Sequence, residues 1–222
     1  MAWTTLTFAF SSLLTSTKMT QLQDNFTAVA QRLSGAPVVT DAKGASWVFI
    51  EEQAASVTAS LDFETGIGGT YKSYMFEFLG LIPVTDGAQL GMRMARSAGT
   101  YEAGTSDYLY AVVGLDSAGT AISASSDADS RIYLTGAGVG GNVSEGLGGF
   151  LKLYEPSNTV RRKQVNGQVS YWTSDATRKL VVAQFAGGLT DAVGAVMGVQ
   201  FWFTSGSIES GSIRLWGLRN RD

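Results

Sequence analysis

Val196-Met197-Gly198-Val199-Gln200-Phe201-Trp202-Phe203 decides the fold class. Met197, Val199, Phe201 and Phe203 fall on one side of an extended chain; Val196, Gly198, Gln200 and Trp202 fall on the other. Side chains of a strand alternate between its two faces, so a period of two marks a β-strand with an apolar side. Working outward, the same rhythm recurs. Leu90, Met92 and Met94 alternate with Gly91, Arg93 and Ala95. Further strands are expected over Trp47 to Ile50, Val57 to Phe63, Tyr74 to Ile82, Tyr108 to Leu115, Arg131 to Thr135, Gly149 to Tyr154, Val165 to Trp172, Lys179 to Phe185 and Ile213 to Trp216. Turn chemistry separates them at Gly66 to Gly69, Asp86-Gly87, Asp116 to Gly119, Gly136 to Gly141, Gly187-Gly188 and Thr204 to Gly211. Ala121 to Asp129, rich in Ser, Ala and Asp, reads as a loop. Short, regularly spaced strands without an alternating helical pattern exclude a parallel α/β sheet. They predict an all-β fold over 47–222, a jelly-roll-like antiparallel β-sandwich.

The N-terminal part has a different period. Trp3 to Phe10 reads as an extended arm. Met19, Leu22, Phe26, Val29 and Leu33 then follow at spacings of 3, 4, 3 and 4, the rhythm of a coiled-coil seam. Thr15, Ser16 and Thr17 are N-cap candidates, and Ser34-Gly35-Ala36-Pro37 supplies a helix stop. A helix of barely two heptads is marginal alone in water. The spacing therefore predicts self-association through those five residues, the alternative being an amphipathic helix packed on its own β-domain. The expected organisation is an attachment arm and oligomerisation helix over 1–37, a linker over 38–46 and the sandwich over 47–222.

Composition narrows the chemistry. The chain has no His and no Cys, so Ser-His-Asp catalysis, His-based zinc sites and disulfides are excluded. Charged residues make up 16% of the chain, against about 25% in average proteins, so Ser, Thr, Gly, Asn and Ala must cover much of the surface. That suits extracellular or virion proteins and interfaces within assemblies. A net charge of −3 argues against nucleic acid as the main partner. The N-terminus lacks the positive region of a signal peptide, and no apolar run approaches the ~18 residues needed to span a membrane.

The stretch Trp3-Thr-Thr-Leu-Thr-Phe, then Leu13-Leu14-Thr15 and Met19-Thr20-Gln21-Leu22-Gln23-Asp24-Asn25-Phe26-Thr27-Ala28-Val29-Ala30, resembles the opening of tailed-bacteriophage virion proteins of the tail fibre or minor structural type. Tyr74 to Pro83 with Asp86-Gly87-Ala88, Gly104 to Tyr108, and Phe201 to Ile208 with Gly211 to Leu218 resemble the C-terminal β-domain of the same group. The resemblance covers most of the chain, and the order of arm, helix, linker and sandwich carries more of it than any one motif. It implies a virion appendage, commonly a homotrimer, attached to other virion proteins by its N-terminal segment and bearing a distal domain that binds host-surface glycan. It implies no cofactor and no particular contact residue. The long repeated shaft of large fibres is missing, which leaves a short spike, a head fibre or a capsid decoration protein open.

The residues themselves offer a few candidates for chemistry. Glu51-Glu52, Asp62 with Glu64, Asp127 with Asp129, and Glu145 are carboxylates that a glycan-cleaving enzyme would need paired in space. Nothing in the sequence pairs them, so no enzyme and no catalytic residue is expected. Asp127-Ala128-Asp129 lacks the further ligands of a calcium loop, and no metal site is expected. Gly136 to Gly141 has no following Lys-Ser/Thr and reads as an inter-strand loop, not a phosphate loop. Arg161-Arg162-Lys163 is the only basic cluster in the sequence. The best lead is aromatic, because sugar faces stack on rings. Tyr101, Tyr71, Tyr108 and Trp172 are the glycan-binding candidates, with Tyr101 in the most loop-like setting. Trp47, Phe76, Phe78, Phe150, Phe201 and Phe203 are assigned to the core or to a subunit interface. A free carbohydrate-binding module remains the other reading; it would not need the N-terminal seam.

Overall fold

The computed structural model describes Thr20 and residues 47–191 and 194–218. The chain divides into two compact units, Met1–Gly44 and Ala45–Asp222. The expected arm, the linker and the seam residues Met19, Leu22, Phe26, Val29 and Leu33 lie outside the described residues. All the strands below belong to the second unit.

That unit is an all-β, antiparallel sandwich. Its strands are β1 (Trp47–Ala54), β2 (Leu61–Phe63), β3 (Ser73–Pro83), β4 (Leu90–Ser97), β5 (Thr100–Tyr101), β6 (Tyr108–Asp116), β7 (Ala121–Asp129), β8 (Ile132–Tyr133), β9 (Leu147–Tyr154), β10 (Gln164–Trp172), β11 (Leu180–Leu189), β12 (Gly198–Phe203) and β13 (Ile208–Leu218). The larger sheet runs β1-β13-β3-β9-β10-β11-β6-β7; the smaller runs β2-β12-β4-β5, with β8 also paired to β4. Eight strands form a two-layer frame, β1-β13-β3-β9 in one sheet and β2-β12-β4-β8 in the other. Two excursions from this frame, β5 to β7 and β10 to β11, place the strands β10, β11, β6 and β7 on the flank of the larger sheet.

The alternation that begins at Val196 is realised in β12. Val199, Phe201 and Phe203 are buried, and Gln200 and Trp202 are on the outer side. Met197 departs from its expected face: it precedes the strand and is exposed. Phe201 ties the layers together, edge-on to Phe76 and Phe78 of β3 at 5.1 and 5.4 Å and to Phe63 of β2 at 6.2 Å. Over the flank, the segment that follows β8 closes the inner side. Gly136 sits against Ile122 and Val112, where a side chain would collide, and the Ala137 N–H donates to the Tyr171 hydroxyl at 3.0 Å.

Several expectations change: Gly187-Gly188, expected as a turn, is paired inside β11 between β10 and β6, and the strand expected from Val57 begins only at Leu61, because Val57 itself turns the chain at a φ of 52°. Ala121 to Asp129 is strand β7, not a loop; its weak intrinsic preference is overridden by pairing along the whole of β6. Ile208, expected in a turn, begins β13, which takes Glu209 as a bulge opposite Ile82 and Pro83, while at the next shift the extra residue lies on β3 at Gly80-Leu81. Phe150, assigned to core or interface, points outward from β9 and is 38% exposed.

Candidate functional site

The four aromatic candidates are not gathered into one site. Tyr108 is fully buried; its hydroxyl accepts from the Met94 N–H at 2.7 Å and lies 3.1 Å from the Glu102 carbonyl. Burial also holds its phenol well above the usual range. It is a core residue with no face for a sugar. Tyr71 lies over Gly217, whose missing Cβ makes room for the ring, and stands edge-on to Tyr74 at 5.7 Å. Tyr101 is on β5, beside β4 in the smaller sheet, and its hydroxyl donates to Glu64 at 3.2 Å. Its phenol is raised by burial first and by the charges of Asp62 and Glu64 after that. Trp172 ends β10 on the outer face of the larger sheet, 40% exposed.

The other sequence candidates resolve into structural roles. Arg161 pairs with Glu155 at 3.1 Å. Lys163 is buried and donates to the carbonyls of Asn158 and Arg161, so the basic cluster does not form one exposed patch. Glu52 is bound by Arg214 at 3.0 Å and Ser212 at 2.8 Å, whereas Glu51 accepts from Gln53 at 2.8 Å. Asp62 accepts from Gln200 at 3.0 Å. Glu145 caps the turn at Asn142 and pairs with Arg178 at 2.9 Å. Asp129 accepts from the Ser130 N–H at 2.6 Å, and Asp127 is exposed on β7. Among the described residues no group of three His, Cys, Asp or Glu is placed to hold a metal ion. Among them, too, no helix is long and apolar enough to cross a membrane.

Two surfaces stand out instead. The first is the outer face of the flank. Across β7-β6-β11-β10, the outward rows read Ala121-Leu115-Val182-Ser170, Ser123-Val113-Gln184-Gln168 and Ser125-Ala111-Ala186-Asn166. None of these residues carries a charge. Val113, Leu115 and Val182 are 65%, 57% and 45% exposed, and Leu109, Leu180, Trp172 and Phe150 border them. A shallow groove of about 460 Å³ runs over this face, and a second of about 560 Å³ leads from Ala111 and Ala186 off its end to Arg162 and Lys163. Beyond β9 the same rows become polar and satisfied: Glu77 accepts from the Trp216 indole at 3.2 Å, and Arg214 pairs with Glu52.

The second surface is on the outer side of the smaller sheet. Register places Trp202 beside Gly91 and Gly91 beside Tyr133, while Gln200 lies beside Arg93. Gly91 has no side chain, so the Trp202 ring and the Arg131 stem cover it; a Cβ there would lie 3.6 and 3.7 Å from them. The Arg93 guanidinium stands 4.7 Å and that of Arg131 5.8 Å from the Trp202 centroid, within cation–π range. Arg131 also stands 5.7 Å from Tyr133, which meets Tyr110 edge-on at 5.4 Å. The Arg93 Nε donates to the Ser130 carbonyl at 2.9 Å. Burial, then repulsion from Arg131, lowers the Arg93 pKa. Asp129, the carboxylate paired with Arg131, is only loosely placed at 3.9 Å. No sequence motif links positions 91, 93, 131, 133 and 202. The available signal was a large aromatic and an arginine on the otherwise small or polar sides of two alternating strands.

The sequence matches no protein-family model, and neither curated proteins nor solved structures provide a match to the chain.

Proposed function

We propose that this chain is a non-enzymatic structural subunit of a bacteriophage virion, an oligomeric appendage of tail-fibre or spike type that adheres to host-surface glycan. The observation that carries the reading is the uncharged outer face of the flank. A neighbouring copy is the occupant that suits it, because an uncharged face can pack on another uncharged patch of that copy, as closure of a trimer requires, without desolvating ions. The three uncharged rows, four strands wide at ~4.8 Å and about six residues long at ~3.3 Å, present roughly 380 Å² of flat area, about half of one side of a standard ~800 Å² interface. The N-terminal segment, with its seam at Met19, Leu22, Phe26, Val29 and Leu33, supplies the remaining contact and the attachment to other virion proteins.

The strand order β1-β13-β3-β9 over β2-β12-β4-β8 supports the finer reading of the sandwich as a jelly roll with two insertions. Jelly rolls recur in viral capsid and lectin domains. Fold alone assigns no activity, so the virion role rests on the resemblance and on the flank face together. Immunogold labelling of purified phage particles tests it: label on the particle surface is expected, and unlabelled particles would refute it. Sedimentation of the purified chain supplies the second measurement. A trimer is expected, falling towards monomer when Val113→Asp and Val182→Asp are combined; an unchanged mass would remove the flank face from the interface.

A further inference from the structure

The geometry points to the Trp202-Arg93-Arg131-Tyr133 cluster as a binding site for the carboxylate of an acidic sugar, a uronic or sialic-type residue of a host-surface glycan. The inference rests on the adhesive reading above and names the class of ligand and the place. Two guanidinium groups share one indole ring, and the carboxylate paired with Arg131, Asp129, is 3.9 Å from its Nε. That Nε is buried and has no hydrogen-bond acceptor among the described residues. Among the described residues, Arg93 uses its Nε on Ser130 and neither of its terminal nitrogens has an acceptor, while Arg131 makes one long contact from Nη2, 3.4 Å to the Ser130 hydroxyl. The two cations therefore retain N–H groups without acceptors while repelling each other.

An anion placed between the two guanidinium groups would relieve their mutual repulsion and accept from their outward N–H groups. A planar carboxylate fits a guanidinium edge through two parallel hydrogen bonds, and stacking on Trp202 orients those edges in advance. Among the described residues the Trp202 indole N–H and the Tyr133 hydroxyl have no hydrogen-bond partner, and register places both side chains in the Gly91 row of the smaller sheet. Gln200, tied to Asp62 at 3.0 Å, borders the cluster beside Arg93. Gly91, lacking a side chain, lets the Trp202 ring and the Arg131 stem lie down over it between the two aromatic strands. The protein as a whole is acidic, so this local reversal of sign also favours acidic over neutral sugars at that spot.

The test uses the full chain at low and moderate salt, immobilised as its native oligomer, with four probes: oligogalacturonate, a sialylated lactose, carboxyl-reduced oligogalacturonate and neutral dextran oligomers. Binding to one or both acidic probes is expected, with the uronate and sialyl arms separating the two sugar classes. Affinity should weaken as salt rises. Arg93→Gln and Arg131→Gln should each weaken binding at least about tenfold, the value of one charged hydrogen bond, with unchanged melting temperature. Trp202→Phe should retain much of it. Equal binding of the carboxyl-reduced probe, or arginine variants that bind like the wild type, would overturn the inference. Binding to dextran alone would overturn the acidic site while leaving adhesion standing. Binding to none of the four would count against both.

Discussion

Replacing Phe201 by alanine probes the joint between the two sheets. Phe201 is fully buried and meets Phe63, Phe76 and Phe78 edge-on, so it contacts both layers through aromatic pairs. Truncating a buried Phe costs about 3–5 kcal/mol, from lost transfer energy and the cavity left behind. Three edge-to-face partners, each worth roughly 0.5–1.5 kcal/mol beyond area, place this residue at the top of that range, near ~5 kcal/mol. For a domain of this size, ~1 kcal/mol moves the melting temperature by about 2–4 °C, so a fall of roughly 10–20 °C is expected. Phe150→Ala is the matched control. Its ring is 38% exposed on the outer face and has no aromatic pair across the core, so the loss should stay near or below ~1 kcal/mol. Urea unfolding of the full chain, followed by tryptophan fluorescence, separates the two through their midpoints at equal slope. A Phe201→Ala chain within about 1 kcal/mol of wild type, or a Phe150→Ala chain equally weakened, would show that the layers are not joined there.

Three further outcomes are expected. Glu145, Asp116 and Asp175 are held below their ordinary carboxyl values of 4.5, 3.8 and 3.8, chiefly by N–H donors from Asn142 and Thr120 and by the Thr177 hydroxyl; their contribution is therefore present above those values and lost as pH falls through the depressed ones. Without histidine, melting temperature should be nearly flat from about pH 5 to 8 and fall below about pH 4; a steep slope near pH 6.5 would contradict this. Gly211→Ala should destabilise by ~2 kcal/mol or more, because Gly211 holds a φ of 102° and a Cβ there would lie 2.5 Å from the Gly80 carbonyl oxygen, and calorimetry showing no loss would refute the bulge geometry. Lys163→Ala should lower stability by about 1–3 kcal/mol by leaving the Asn158 and Arg161 carbonyls without their donor, whereas an exposed Arg162→Ala change should be near neutral in the same melting assay.

Much of the fold was legible because burial writes a local period into the chain. Residues 74–82, 90–94 and 196–203 each alternate or run apolar, since every strand must put one side into the core regardless of its neighbours. Turn residues with glycine at positive φ, as at Gly66, Gly87 and Gly119, likewise carry their cause in their own chemistry. Strand β7 was not legible: Ala-Ile-Ser-Ala-Ser-Ser has little intrinsic preference, and only β6 makes it extended. Tyr101 and Tyr108 look alike in sequence, both close to Gly, Ser and acidic residues, yet Tyr108 is core and Tyr101 is at a sheet margin. That difference arises from which layer each strand joins.

The two surfaces separate the same way. Sequence alone determined an all-β domain over 47–222 without histidine or cysteine chemistry, because composition and period are properties of single segments. Tertiary structure alone decided that Leu115, Val113 and Ala111 lie in register with uncharged rows on three other strands, and that Arg93, Arg131 and Trp202 meet over Gly91. Cross-strand register is a pairing between distant segments, set by the sum of many backbone hydrogen bonds and core contacts, and no local stretch contains it.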